Sequence, residues 1–160
     1  MIESVSLYNP DMPKDLKEEA LRKNSEVLSN LANNSAVNLL ISSQNKTAEL
    51  FNTSTLTNML GMNKAFTSNG GSIFIFANIH GENAYAGYNI FALFLDGVEK
   101  VRKAFGAGAT GSNAGVTLFW IENLAAGNHK VEIKAAVSAG GVATPLTNYT
   151  NELFVIEILL

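Results

Sequence analysis

The chain reads in two parts with different hydrophobic periods. Between residues 14 and 31 the apolar side chains recur at threes and fours. Leu16, Ala20, Val27 and Leu31 make one stripe, which Leu21 and Leu28 widen. That spacing predicts an amphipathic helix. Asn9-Pro10-Asp11-Met12-Pro13, just before it, supplies a polar cap, prolines and an early acid, the composition of a helix start. Val37, Leu40, Ile41, Gln44, Ala48 and Phe51 repeat the spacing and predict a second helix over residues 36–51, beyond the Asn33-Asn34-Ser35 break.

From residue 55 the period becomes two. Strands are predicted over residues 55–60, 63–67, 72–79, 88–95, 98–105, 116–122, 129–137 and 152–160. Asn69-Gly70-Gly71 and Ala126-Gly127-Asn128 mark tight turns, and Asp96-Gly97 is the strongest hairpin signal in the chain. Longer polar or glycine-rich connections cover residues 81–87, 106–115 and 138–145. Successive strands with no helices between them predict a mainly β protein: an antiparallel, jelly-roll-like β-sandwich over residues 55–160, preceded by an N-terminal helical arm. The extended and helical arm, residues 1–54, is expected to serve anchoring or oligomerisation. The apolar end Ile158-Leu159-Leu160 asks for a central, covered strand.

Four of these strands are apolar on both faces. Phe74 and Phe76 oppose Ile73, Ile75, Ala77 and Ile79. Ile90 and Phe94 oppose Phe91, Leu93 and Leu95, and Phe119 and Ile121 oppose Val116, Leu118 and Trp120. In the last strand Phe154, Ile156, Ile158 and Leu160 oppose Leu153, Val155 and Leu159. A sandwich normally turns one face of each strand to water. Fully burying one such side chain contributes about 1.5–3 kcal/mol, so the second faces need cover from the arm's helices, from neighbouring subunits or from both. A homo-oligomer, specifically a homotrimer, is expected, with Phe74, Phe76, Phe91, Leu93, Phe119, Phe154 and Ile156 as interface candidates.

Composition narrows the function classes. Eleven basic residues against 14 acidic ones give a net charge of −3 in 160 residues, so the basic surplus a nucleic-acid binder uses to displace counterions is missing. There are no cysteines and two histidines, His80 and His129, too few for a thiolate or multi-histidine metal site; no cofactor or metal is expected. No apolar run nears the ~18 residues of a membrane span, and the opening residues do not have the form of a signal peptide. Asp96 is taken by its turn, the 106–115 loop lacks a Gly-Lys-Ser/Thr ending, and no Gly-x-Ser-x-Gly elbow occurs. An enzyme is therefore not expected. Tyr85, Tyr88, Trp120 and Tyr149 could supply sugar-stacking platforms, although Trp120 reads as a core residue.

Four stretches carry a resemblance: Asn69-Gly-Gly-Ser-Ile-Phe-Ile-Phe-Ala77, Phe91-Ala-Leu-Phe-Leu-Asp-Gly97, Leu124-Ala-Ala-Gly-Asn-His-Lys-Val131 and Leu153-Phe-Val-Ile-Glu157. Together they resemble the C-terminal β-sandwiches of bacteriophage structural proteins: head fibres, capsid decoration proteins and tail-fibre tips. Many of these are trimers similar to tumour-necrosis-factor or complement-type jelly rolls. The resemblance implies an oligomeric virion protein held to a capsid or tail protein by its arm, with Leu7, Tyr8, Pro10, Met12 and Pro13 as anchoring candidates. The alternative it implies is a tail-fibre or receptor-binding module whose loops recognise host-surface glycans.

Overall fold

The computed structural model describes residues 18–19, 21–23, 25–26, 36–83, 87–107, 113–138, 143–144 and 150–159. It divides into two compact units, Val37–Ile158 and Met1–Ala36 with Leu159–Leu160. In the N-terminal unit residues 18–19, 21–23 and 25–26 are helical. Lys23 pairs with Glu19 at 3.3 Å and Arg22 with Glu26 at 3.4 Å, contacts that the four-residue repeat of a helix creates. The anchoring candidates Leu7, Tyr8, Pro10, Met12 and Pro13 lie outside the described residues.

The larger unit is a jelly-roll-like β-sandwich. One sheet, here sheet A, has the order β1 (Ala36–Asn45), β9 (Asn151–Leu159), β3 (Gly71–Asn83), β6 (Asn113–Leu124), with the short β8 (Ala143–Thr144) pairing at the end of β3. Sheet B has the order β2 (Thr57–Ser68), β7 (Gly127–Val137), β4 (Gly87–Leu95), β5 (Val98–Ala107). The chain crosses between sheets at almost every step; among these strands only β4 and β5 are consecutive and paired. Their turn is Asp96-Gly97, with φ of +52° and +78°, the left-handed pair that a two-residue hairpin demands.

The facing sides of the sheets carry Ile73, Ile75, Ala77 and Ile79 from β3, Leu118 from β6 and Leu153 and Val155 from β9. Against them stand Phe91, Leu93 and Leu95 from β4 and Val131, Ile133, Ala135 and Val137 from β7. Strand β9 is central in sheet A, as its apolar composition asks.

Three expectations are corrected. Residues 36–51 are not helical: Ala36–Asn45 is strand β1. Its helix-like spacing arises because Leu40 and Ile41, neighbours in sequence, both pack against the core. That is a break of the alternation of the kind a β-bulge makes. The run is also rich in Asn, Ser and Thr, whose side chains compete with a helical backbone. The sandwich therefore begins at β1 and not at residue 55. Finally, the two strands expected over residues 55–60 and 63–67 are one strand, β2, which starts at Thr57 and is interrupted by a register shift between Asn58 and Asn63.

That irregularity is built from the β1 side. Ser43 Oγ donates to the Gly61 carbonyl at 3.0 Å, Asn45 Nδ2 to the Leu60 carbonyl at 2.8 Å, and the Leu60 N–H donates to the Glu49 carboxylate at 2.7 Å. Gly61 stands at φ +72°, and Met59 and Met62 on either side are both driven into the core.

The two ends of the sandwich differ. The turns β2–β3, β4–β5 and β6–β7 lie at one end, and the longer connections β3–β4, β5–β6 and β7–β9 at the other. Asn38 on β1 donates to Glu157 on β9, and Gln44 to Glu152. Rising numbers on one strand thus meet falling numbers on the other, and the chain enters the sandwich at its turn end.

Candidate assembly face

The outward side of sheet A is built by register. Phe76 stands between Phe119 on β6 and Phe154 on β9, and Phe74 stands between Ile121 and Ile156. The rings meet both within and between the rows, Phe76 to Phe154 at 6.4 Å along one row and Phe74 to Phe119 at 6.5 Å across to the next, tilted as aromatic quadrupoles prefer. Polar rows close both ends. Asn78 accepts from Thr117 Oγ1 at 2.8 Å beside Glu152, and Ser72 Oγ donates to Asn123 at 2.6 Å beside Ile158. Within these rows Glu152 is the one charged residue.

Exposure is uneven across the rows. Phe74, Phe76, Phe154 and Ile156 are half-buried by their neighbours, whereas Phe119 and Ile121, on the edge strand β6, are 49% and 47% exposed. Val37 and Leu39 on β1, beside β9, are also exposed. The structure thus brings five of the interface candidates, Phe74, Phe76, Phe119, Phe154 and Ile156, onto one surface. Phe91 and Leu93 do not join them. They point inward from β4 and are 1% and 0% exposed, because the period-two pattern shows that a strand has two apolar faces without saying which one is inside.

On sheet B one outward ring is covered within the chain. The outer Phe94 of β4 lies beneath the Lys134 ammonium, 4.2 Å from the ring centroid, and Glu132 is flanked by Lys130 and Lys134. No comparable cation covers the aromatic rows of sheet A among the described residues.

The β6 edge is guarded by polar contacts from β5. Lys103 Nζ donates to the Thr117 carbonyl at 2.8 Å, and Lys100 pairs with Glu122 at 2.7 Å. Glu122 also accepts from the Trp120 indole at 3.0 Å; the Lys100 and Trp120 hydrogen bonds hold its carboxyl below the usual range. Lysine on an edge blocks pairing with another strand, so β6 presents side chains and not its backbone. Trp120 packs partly buried against the core, as expected, and Tyr88 is exposed, whereas Tyr85 and Tyr149 lie outside the described residues.

The polar network at the turn end supplies no acid–base chemistry. His129 Nδ1 meets Asp96 Oδ2 at 2.7 Å, while Nε2 is held by the Ala125 carbonyl at 3.0 Å. Both ring nitrogens are engaged, so the pair cannot relay a proton to a third group in this arrangement. Among the described residues no three His, Asp or Glu converge as a metal site. The sequence signalled Asp96 only through its turn. Its second role, accepting from His129 and from the Lys130 N–H at 2.7 Å, depends on cross-strand register and leaves no local signature.

No protein-family model matches the chain, and no curated protein matches it. Solved structures do. The TNF protein Eiger from S. frugiperda superposes with a TM-score of 0.50 at 7% identity, over 75% of this chain and 93% of that one. The CBM36-1 domain of a multidomain xylanase from the hindgut metagenome of Trinervitermes trinervoides gives 0.33 at 13%, over 77% and 96%. At 7% identity the likeness to Eiger concerns the fold alone, a jelly-roll-like sandwich.

Proposed function

We propose that this chain is a non-catalytic structural protein of a virion, of the capsid-decoration or head-fibre kind. It assembles as a homotrimer through the outward face of sheet A, and the segment before β1 holds it to a capsid or tail protein. The observation that carries this reading is the pair of apolar rows Phe154–Phe76–Phe119 and Ile156–Phe74–Ile121, bounded by polar positions and, among the described residues, without a covering charge. A second copy is the occupant such a surface suits, since it offers the same apolar rows in return and adds no charge that would be left unpaired.

The most exposed ends of the rows lie on the edge strand β6, so one copy's edge can rest against the rows of the next. A head-to-tail contact of that kind closes into a three-membered ring when each copy is rotated by a third of a turn from the last. The resemblance of the four sequence stretches to phage sandwiches supports the virion setting. A full-length Phe119→Asp, Ile121→Asp variant should lose the oligomer while its sandwich stays folded. Deleting residues 1–35 should abolish particle binding and leave the oligomer intact. An unaltered mass in the first variant, or undiminished particle binding in the second, counts against the corresponding half of the proposal.

The receptor-binding reading keeps one observation in its favour: the aromatic ring of Tyr88, at the start of β4, is exposed. A glycan array probed with the full-length protein tests it. Bound sugars that release on Tyr88→Ala support this second reading, and an array without hits removes it.

A further inference from the structure

We propose that the loop end of the core contains a buried water-binding site formed by the side-chain amides of Asn89 and Asn151 around the His80–Gly81 segment. Along the sandwich the inward positions hold Ile, Leu, Val and Phe. At its loop end they change to Gly81 on β3, Asn89 on β4 and Asn151 on β9. Both asparagines are fully buried, at 0% exposure.

Asn151 Oδ1 accepts the His80 N–H at 2.9 Å, which fixes that amide's orientation and leaves its Nδ2 pointing elsewhere. Asn89 Nδ2 lies 3.6 Å from the position a Cβ on Gly81 would take. The two amides therefore converge on adjacent residues of one strand. Among the described residues, three of their four polar atoms, both of Asn89 and Nδ2 of Asn151, have no hydrogen-bond partner. Exchanging O and N on Asn89 changes nothing, since neither is engaged.

Buried amides left unpaired are rare because each group forfeits its hydration. The binding partner here has to accept from Nδ2 and donate to Oδ1, which excludes a bare anion or cation. At full burial it also has to be small. Water fits both demands, and buried waters typically make two to four such bonds. Glycine at position 81 belongs to the same design. A Cβ there would stand 3.3 Å from the ring tips of Phe91 and Phe105 and close against the Asn89 amide.

A crystal structure of the full chain, together with thermal unfolding of an Asn89→Leu variant, tests the site. The expected results are ordered water within hydrogen-bond distance of both amides and a lower unfolding midpoint for Asn89→Leu, which strands the water and the Asn151 amide. A dry contact around Asn89 in the parent, or a raised midpoint in the variant, overturns the proposal, because a dry orphan amide is improved by a leucine of similar shape. If Asn89→Leu does not fold, the density in the parent decides alone.

Discussion

Replacing Glu157 with glutamine should destabilise the sandwich at neutral pH and flatten its response to acid. Glu157 is fully buried at the turn end of β9, and its partners among the described residues are hydroxyl and amide groups rather than cations. Its Oε1 accepts from Ser68 Oγ at 2.6 Å and from the Asn69 N–H at 2.8 Å; its Oε2 accepts from Asn69 Nδ2 at 3.2 Å and Asn38 Nδ2 at 3.4 Å. One carboxylate thus ties β9 to β1 and to the β2–β3 turn.

Burial pushes this carboxyl's pKa up, and the hydrogen bonds from Ser68, Asn69 and Asn38 more than reverse it, leaving it below the ordinary glutamate value. A glutamine oxygen in the Oε1 position keeps the first two bonds without their charge assistance, a loss of about 1 kcal/mol each. Its amino group then faces two amide donors, which must turn over or stay unpaired at about 1–2 kcal/mol more. Glu157→Gln should therefore cost about 3–4 kcal/mol. The assay is urea unfolding at fixed protein concentration, since assembly would make the midpoint concentration-dependent.

The sign with pH follows from the depressed value. The carboxylate's contribution is complete above the unfolded-state pKa, about 4.3, and is lost as pH falls through the folded-state value. Parent and variant stabilities should converge in acid. A variant within about 0.5 kcal/mol of the parent at pH 7, the range of an indifferent surface change, would refute the reasoning.

Other perturbations follow from the same geometry. The Asp96 hydrogen bond raises the pKa of His129, a gain that burial opposes and the Ala125 carbonyl reinforces. Its contribution is therefore complete below the ordinary histidine value and lost as pH rises through the raised one; thermal midpoints of the parent should fall across that window and those of His129→Gln should not. Gly61→Ala combines φ +72° with a Cβ 3.3 Å from that of Asn45, whereas Gly97→Ala at φ +78° meets nothing within 4 Å. Urea midpoints should show a loss of about 1–2 kcal/mol from the backbone alone at Gly97 and a larger one at Gly61.

The sandwich was legible where period two and turn chemistry agreed. Asp96-Gly97 took the left-handed pair its residues favour, and Ile73, Ile75, Ala77 and Ile79 faced inward together. Strand β1 was illegible because Leu40 and Ile41 both turn to the core, and two inward neighbours imitate a helical stripe. The same limit affected the surface residues. Alternation separates Phe91 and Leu93 from Ile90 and Phe94, but only the pairing of sheets decides which set is inside. The Glu157 and His129 networks join residues distant in sequence, so no local pattern announces them.

The central claim is that the aromatic rows of sheet A bury themselves against further copies of the chain. Native mass spectrometry of the full-length protein, over a dilution series at neutral pH, tests it most directly. The account predicts a dominant species of three times the 17.1 kDa chain mass. A monodisperse single chain at every concentration would contradict it.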